Sequence, residues 1–295
     1  MNEKRTFTVV TLGCKLNYAE SATIARELTL KGYQRVGASA GAGITIINTC
    51  SVTEHADKKS RQAIRKALRI NPETRVIVTG CSAQLRAGSL AGIPGVGAIL
   101  GTDFRDRVAQ VAADPVYRAP LIGPGGAGKV FFPAWSAGED HRDRTRSFLK
   151  VQDGCDYCCT YCTVPLARGR SRNIPIAQVV QQAQEIAARG VKEIVLTGVN
   201  TGDFGKTTGE SFAGLLRELS LVKGIERYRI SSIEPNLLTE EIIEMTASMK
   251  CFLPHFHIPL QSGSSRILRK MGRRYDPGLF ARKVRFIRSL MPYAF

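Results

Sequence analysis

From Thr6 onward, short apolar runs alternate with longer stretches of helical period: TFTVVTLG, AESATIARELTLKG, GITIINT, ADKKSRQAIRKALRI and RVIVTG. Each strand-like run feeds a helix-like one, the βαβ rhythm of a parallel sheet in an α/β protein. Residues 114–146 break the rhythm. There DPVYRAPLIGPGGAGKVFFPAWSAGEDHRDR is rich in Pro and Gly and has no sustained period, so it reads as a linker or irregular connection. A second alternating series follows, in which SFLKVQDG, KEIVLTGV, RYRISSI and HFHIPLQ are four strand candidates separated by helical stretches. The pattern predicts two domains, 1–113 and 147–295, joined by 114–146.

Composition agrees with two cores: 43% of the 295 residues are hydrophobic, although only 7% are aromatic. No stretch approaches the roughly 20 apolar residues of a membrane span, and the opening MNEKRTFTVV lacks the apolar run of a secretory signal. No membrane association is expected, and the cytoplasm is the default location. Eight cysteines in a chain kept reduced there point to metal binding or catalysis rather than a disulfide framework. The net charge of +17 is spread over both halves, with 16 basic and 8 acidic residues before residue 114 and 26 and 17 after it. Such a surplus attracts polyanions, nucleic acid first; a basic surface that only keeps the protein dissolved is the plainer account. Gly123, Gly128 and Lys129 have the spacing of a phosphate-binding loop. Val130 stands where a Ser or Thr would touch magnesium, and no strand or helix flanks the loop, so the match is read as fortuitous.

Cys155, Cys159 and Cys162 form C-x-x-x-C-x-x-C directly after the apolar run FLKVQDG, which sets three thiols in one loop at the C-terminal end of a predicted strand. Structural zinc takes four closed ligands, whereas an iron–sulfur cluster held by three cysteines keeps one iron open. A zinc site completed by Cys158 is the alternative; it requires adjacent Cys158 and Cys159 to turn toward one metal. In the first half, Cys14, Cys50 and Cys81 each end a strand-like run: VVTLGC, IINTC and VIVTGC. Parallel strands align their C-terminal ends along one edge, where open α/β sheets bind ligands, so the three can converge. Singly, each cysteine would be read as a buried small hydrophobe.

The C-x-x-x-C-x-x-C loop resembles that of the radical S-adenosylmethionine superfamily, and DGCDYCCTYCTVPLARGRSRNIP resembles more narrowly the methylthiotransferases. TLGCKLNYAES and NTCSVTEHADKKSRQAIRK are similar to the branch acting on threonylcarbamoyladenosine in transfer RNA. The resemblance implies a flavodoxin-like open parallel-sheet methylthiotransferase domain followed by a radical SAM (βα) partial barrel. That barrel is expected to be incomplete at the C-terminus, with further strands and a small β-rich RNA-binding domain beyond Phe295. It implies two 4Fe-4S clusters, one on Cys155, Cys159 and Cys162 and one on Cys14, Cys50 and Cys81, with S-adenosyl-L-methionine on the open iron of the first. The implied partners are tRNA and an electron donor such as flavodoxin or ferredoxin. The implied reaction uses a deoxyadenosyl radical to remove hydrogen from C2 of the adenine, where a methylthio group is then built. Methylthiotransfer to another tRNA adenosine or to a ribosomal protein is the neighbouring reading, and an inactive iron–sulfur or RNA-binding fragment a reading of another class.

The resemblance places the methionine part of the cofactor near the turn Thr197–Gly202, with Gly198 and Asn200 as contacts; an ordinary strand-ending turn explains the glycines equally. Glu234, at the end of RISSIEP, could bind the cofactor or cap the helix starting near Thr239, and Gln261 at the end of HIPLQ has the same two readings. His255 and His257 alternate along that run and are expected on one face, in packing or substrate lining. Two basic stretches are candidate RNA contacts or simply solvated faces. One is the helix-like KKSRQAIRKALR, whose cations spread beyond one narrow stripe. The other is Arg266–Arg288, with nine basic residues and one acid, Asp276.

Overall fold

A computed structural model describes residues 5–51, 54–114, 116–117, 120–123, 130–136 and 146–295. Gly128 and Lys129 of the fortuitous phosphate-loop spacing lie outside these residues. The chain divides into two compact units, the first comprising Met1–Ala134 with Leu166–Gly169, the second Trp135–Pro165 with Arg170–Phe295.

The first unit is built on five parallel strands: β1 (Thr6–Thr11), β2 (Gln34–Arg35), β3 (Ile44–Thr49), β4 (Arg75–Gly80) and β5 (Val96–Leu100), in the order β2-β1-β3-β4-β5. That is the flavodoxin-like order, whose ligand crevice opens where the winding reverses, between β1 and β3. Every residue of β3 is buried, because helices cover both faces of a parallel sheet. Helix α1 (Lys15–Leu30) follows β1, and α2 (Glu54–Ile70) follows β3. On α2, Ile64 is buried in the core with Ile47, Val76 and Val78, while its cations face outward. Strands β2 and β5 were not among the runs read from sequence.

The second unit carries a three-stranded parallel sheet, β6 (Ser147–Lys150), β7 (Glu193–Thr197) and β8 (Arg227–Ile230), in sequential order. The fourth strand candidate, HFHIPLQ, is not a strand. Among the described residues it joins the sheet side only at a single parallel bridge, Ser232 with His257, and Phe252 just before it makes another with Tyr228. Pro254 directly before this stretch and Pro259 within it have no N–H to give a ladder, which accounts for the interruption. His255 and His257 do not share a role: His255 packs edge-on against Phe295, and exposed His257 hydrogen-bonds Ser232 Oγ at 2.8 Å through Nδ1.

Candidate metal centres

In the first unit the three cysteines lie at the ends of β1, β3 and β4. Thr49 pairs with Gly80, so Cys50 and Cys81 follow at the same level of adjacent strands, and Cys14 directly precedes α1. Two glycines bring these ends together. A Cβ on Gly13 would lie 2.6 Å from Cys50 Cβ and 2.8 Å from its Sγ; one on Gly80 would lie 2.6 Å from Asn48 Oδ1 and 2.7 Å from Thr49 N. Both glycines have φ in the left-handed region, at 99° and 97°. Cys14 is exposed, whereas Cys50 and Cys81 are buried.

A polar network beneath these thiols was missed by the sequence reading, although Asn17, Glu20, Ser21 and Asn48 stand in the quoted TLGCKLNYAES and IINTC. Buried Asn17 donates to Leu12 O (2.7 Å) and Thr49 O (2.9 Å), tying the ends of β1 and β3. Asn48 Nδ2 donates back to Asn17 O at 3.0 Å and to Ser21 Oγ at 3.1 Å. Arg168 Nη2 donates to Asn17 Oδ1 at 2.6 Å, and Arg168 also grips Glu20 through both nitrogens at 3.1 and 3.3 Å. Arg105 Nε adds a second buried ion pair to Glu20 at 3.1 Å. The available signal was the i, i+3, i+4 spacing of Asn17, Glu20 and Ser21, a polar stripe on the face of α1 turned to the sheet.

In the second unit the loop bearing Cys155, Cys159 and Cys162 leaves β6 from a buried polar root. Asp153 accepts ion pairs from Lys150 (2.7 Å) and Arg172 (3.2 Å), and its backbone pairs with that of Arg172 in both directions. Gln152 donates to the carbonyls of Asp153 and Gly154 and to Ser171 Oγ, and its Oε1 accepts from Asn200 N at 2.9 Å. Gly154 takes φ 71° where the chain turns into the cysteines. Among the described residues, in either unit, no three His, Cys, Asp or Glu side chains are already gathered closely enough to hold a metal ion. Burial pushes Cys155 up to about 11, and the charges of Cys162 and Cys159 add to the rise. Cys159 is also pushed up, by burial first, while Arg273 pulls it back. Cys158 is exposed and Cys159 buried, so the adjacent pair does not share one environment.

Opposite the loop, the turn Met271–Tyr275 clasps it. Thr160 N donates to Met271 O at 3.2 Å, and a Cβ on Gly272, φ 74°, would stand 3.2 Å from Cys158 O. Arg274 donates to Asp156 O at 3.2 Å and lies 4.2 Å over the Tyr157 ring. Arg273 donates to Glu234 Oε1 at 2.7 Å and to the Tyr161 hydroxyl, which itself donates to Gln261 Oε1 at 3.1 Å. Two of the nine cations read as a backbone-tracking stretch are therefore committed to this loop.

Of the four cofactor-contact candidates, Gly198 is needed for packing: a Cβ there would meet Gln152 Oε1 and Thr201 Cγ2 at 3.0 Å. Asn200 is occupied internally, accepting from Glu234 N at 3.1 Å and donating to Asp203 at 3.2 Å. Glu234 does not cap the following helix, since Thr239 does so with its own side chain. Burial pushes the Glu234 carboxyl above the usual range, Arg273 opposing, and its Oε2 is buried with no hydrogen-bond partner, as are Arg273 Nε and Asn236 Oδ1. Gln261 is exposed and is the non-glycine residue among those described with positive φ, 62°. These residues fit the groups expected of them: soft thiol donors suit an iron–sulfur cluster, and an orphaned carboxylate oxygen beside an orphaned guanidinium nitrogen suits a ligand carrying both a donor and an acceptor.

Comparison with known proteins gives the family. The profile of the Uncharacterized protein family UPF0004 matches residues 6–101, and that of the Radical SAM superfamily matches residues 149–293. Curated relatives include Threonylcarbamoyladenosine tRNA methylthiotransferase MtaB of Bacillus subtilis, 40% identical over 96% of this chain and 63% of the relative. The protein of the same name from Aquifex aeolicus is 35% identical over 94% of this chain and 68% of its own length. In fold, the chain is similar to the radical S-adenosylmethionine methyltransferase TsrM from Kitasatospora setae, with a TM-score of 0.68 at 14% identity, covering 97% of this chain and 66% of that one. The fold and the cysteine loop thus define a radical SAM protein. Within that class the chain belongs to the MtaB-type methylthiotransferase family. It spans slightly less than two thirds of the length of the Bacillus relative.

Proposed function

We propose that the chain is the radical SAM portion of a methylthiotransferase that adds a 2-methylthio group to N6-threonylcarbamoyladenosine in tRNA. The observation carrying this reading is the loop of Cys155, Cys159 and Cys162 at the C-terminal edge of a parallel sheet, in a chain 40% identical to a relative named for that activity. Cys155, Cys159 and Cys162 would hold one 4Fe-4S cluster, and Cys14, Cys50 and Cys81 a second. When bound, the clusters and S-adenosyl-L-methionine supply one-electron activation of a carbon–hydrogen bond and the sulfur to be transferred. The protein's own residues anchor and orient. Asp153 and Gln152 fix the root of the cysteine loop, and Met271–Arg274 hold its outer side. Glu234 and Arg273 would offer the orphaned oxygen and nitrogen to the amino-acid end of the cofactor. Gly198 and Asn200 would act by shaping the turn, and Gln261 by lining its rim through Tyr161. The electron donor would be a flavodoxin or ferredoxin.

Anaerobic reconstitution is expected to give about eight irons per chain, because two cysteine triads each imply a four-iron cluster. Nucleoside analysis of tRNA from a strain lacking the gene should reveal threonylcarbamoyladenosine without its methylthio group. One zinc per chain with negligible iron, or unchanged nucleosides, overturns the reading.

A further inference from the structure

The outer face of the first unit holds a cavity of about 580 Å³ that the cysteine chemistry does not use. Its lining is Gln62, Arg65, Leu68 and Arg69 of α2 together with Ile93 and Pro94, which precede β5. The lining combines three apolar residues, Leu68, Ile93 and Pro94, with the two guanidiniums of Arg65 and Arg69. Leu68 is fixed there, because Gly95 packs so closely that a Cβ would lie 2.6 Å from its Cδ2.

Lys58, Gln62, Arg65 and Arg69 recur at intervals of four, three and four residues, which places them in one stripe along α2, and all four are exposed. The stripe starts on the turn of α2 nearer Cys50, enters the cavity at Gln62 and spans ~16 Å from Lys58 to Arg69 at the 1.5 Å rise of a helix. Among the described residues, none of Lys58, Arg65, Lys66 and Arg69 has an ion-pair partner. Elsewhere in this unit Arg86 pairs with Asp57, while Arg105 and Arg168 pair with Glu20. A helix of unpaired cations beside an apolar lining has the two halves of single-strand recognition, charge for the phosphates and an apolar surface for a base.

We infer that this groove is a docking site for an RNA strand, with phosphates on Lys58, Arg65 and Arg69 and an unstacked base lying against Leu68, Ile93 and Pro94. The inference rests on the tRNA substrate proposed above and adds a contact surface outside the cysteine loops.

The test measures binding of unmodified tRNA to the reconstituted chain across a salt series, for the wild type, Arg65→Glu/Arg69→Glu, and Lys192→Glu/Arg217→Glu in the second unit as a charge-matched control. The groove variant should bind at least about tenfold more weakly, and its log–log salt slope should be shallower by about 1.4 to 1.8, two contacts at 0.7 to 0.9 each. Its iron content should not change, since both side chains are exposed. RNA carrying 4-thiouridine should crosslink within residues 62–69 or 93–94. Unchanged affinity and slope in the groove variant, with the wild type still binding tRNA, refutes the groove and leaves the methylthiotransferase reading standing. Equal weakening by the control variant, or equal displacement by heparin without a mapped crosslink, also refutes it, as a general basic surface. A wild type that assembles both clusters yet binds no tRNA overturns the RNA-substrate reading and the groove with it.

Discussion

Replacing Arg273 with alanine should damage the second unit through one buried charge. Arg273 and Glu234 side chains are only 6% and 11% exposed and meet at 2.7 Å. Removing the cation leaves the carboxylate buried beside Oε2, which already has no partner. Breaking a buried pair from one side costs about 3–5 kcal/mol. The low end applies here, because burial already pushes the Glu234 carboxyl upward and, without Arg273, it takes up a proton more readily. At roughly 2–4 °C per kcal/mol for a unit of this size, the melting temperature should fall by about 6–12 °C. Thermal unfolding of the metal-free protein measures this without any contribution from cluster loss. The double variant Glu234→Gln/Arg273→Ala, which removes the stranded charge, should recover at least half of the loss. After reconstitution, Arg273→Ala should also bind less iron, since the clasp on Tyr161 is gone. A fall below about 1 kcal/mol, or no recovery in the double variant, would show that the pair is not what braces the loop.

Cys158→Ala should retain iron and S-adenosylmethionine binding while Cys159→Ala loses both; equal loss in the two would favour a four-cysteine zinc site. Glu20→Gln should destabilise the first unit by about 3 kcal/mol or more, because it strips the shared anion from buried Arg105 and Arg168, and an unfolding midpoint within error of wild type would contradict the network. Burial raises the Glu27 carboxyl above its ordinary 4.5, so the folded chain holds a proton that the unfolded chain gives up. The stability this contributes is present at low pH and lost as pH climbs through the raised value. Glu27→Gln should therefore gain on the wild type in denaturant midpoints as pH rises above the ordinary 4.5, and a difference that stays constant with pH would refute the assignment.

Strands β1, β3 and β4 were legible because buried parallel strands are written as nearly continuous Val, Ile and Thr. Strand β2, only Gln34–Arg35, carries no such run and exists through its register with Thr6 and Phe7. In the second unit the apolar alternation of HFHIPLQ looked like the three strands before it, but its prolines decide what the backbone can donate. Both cysteine triads could be located from sequence, since strand ends and loop spacing are local features. The supporting residues could not. Arg273 lies more than a hundred residues from Tyr161, and only the fold brings the Met271–Tyr275 turn onto the cysteine loop. Asn200 shows a different gap: an amide at a strand end reads as a ligand contact, and the sequence gives no sign that it also bonds Glu234 N and Asp203.

Arg168 follows the second unit's cysteine loop in sequence but folds with the first unit, where it closes on Glu20 and Asn17. A chimera that exchanges the front of this protein for that of a relative at the 114–146 connection would thus separate Glu20 from Arg168 and leave it only Arg105. Residues 166–169 must be exchanged with the front segment, so that a matched arginine and carboxylate are inherited together; otherwise one of the buried acid's two counter-charges comes from a different protein.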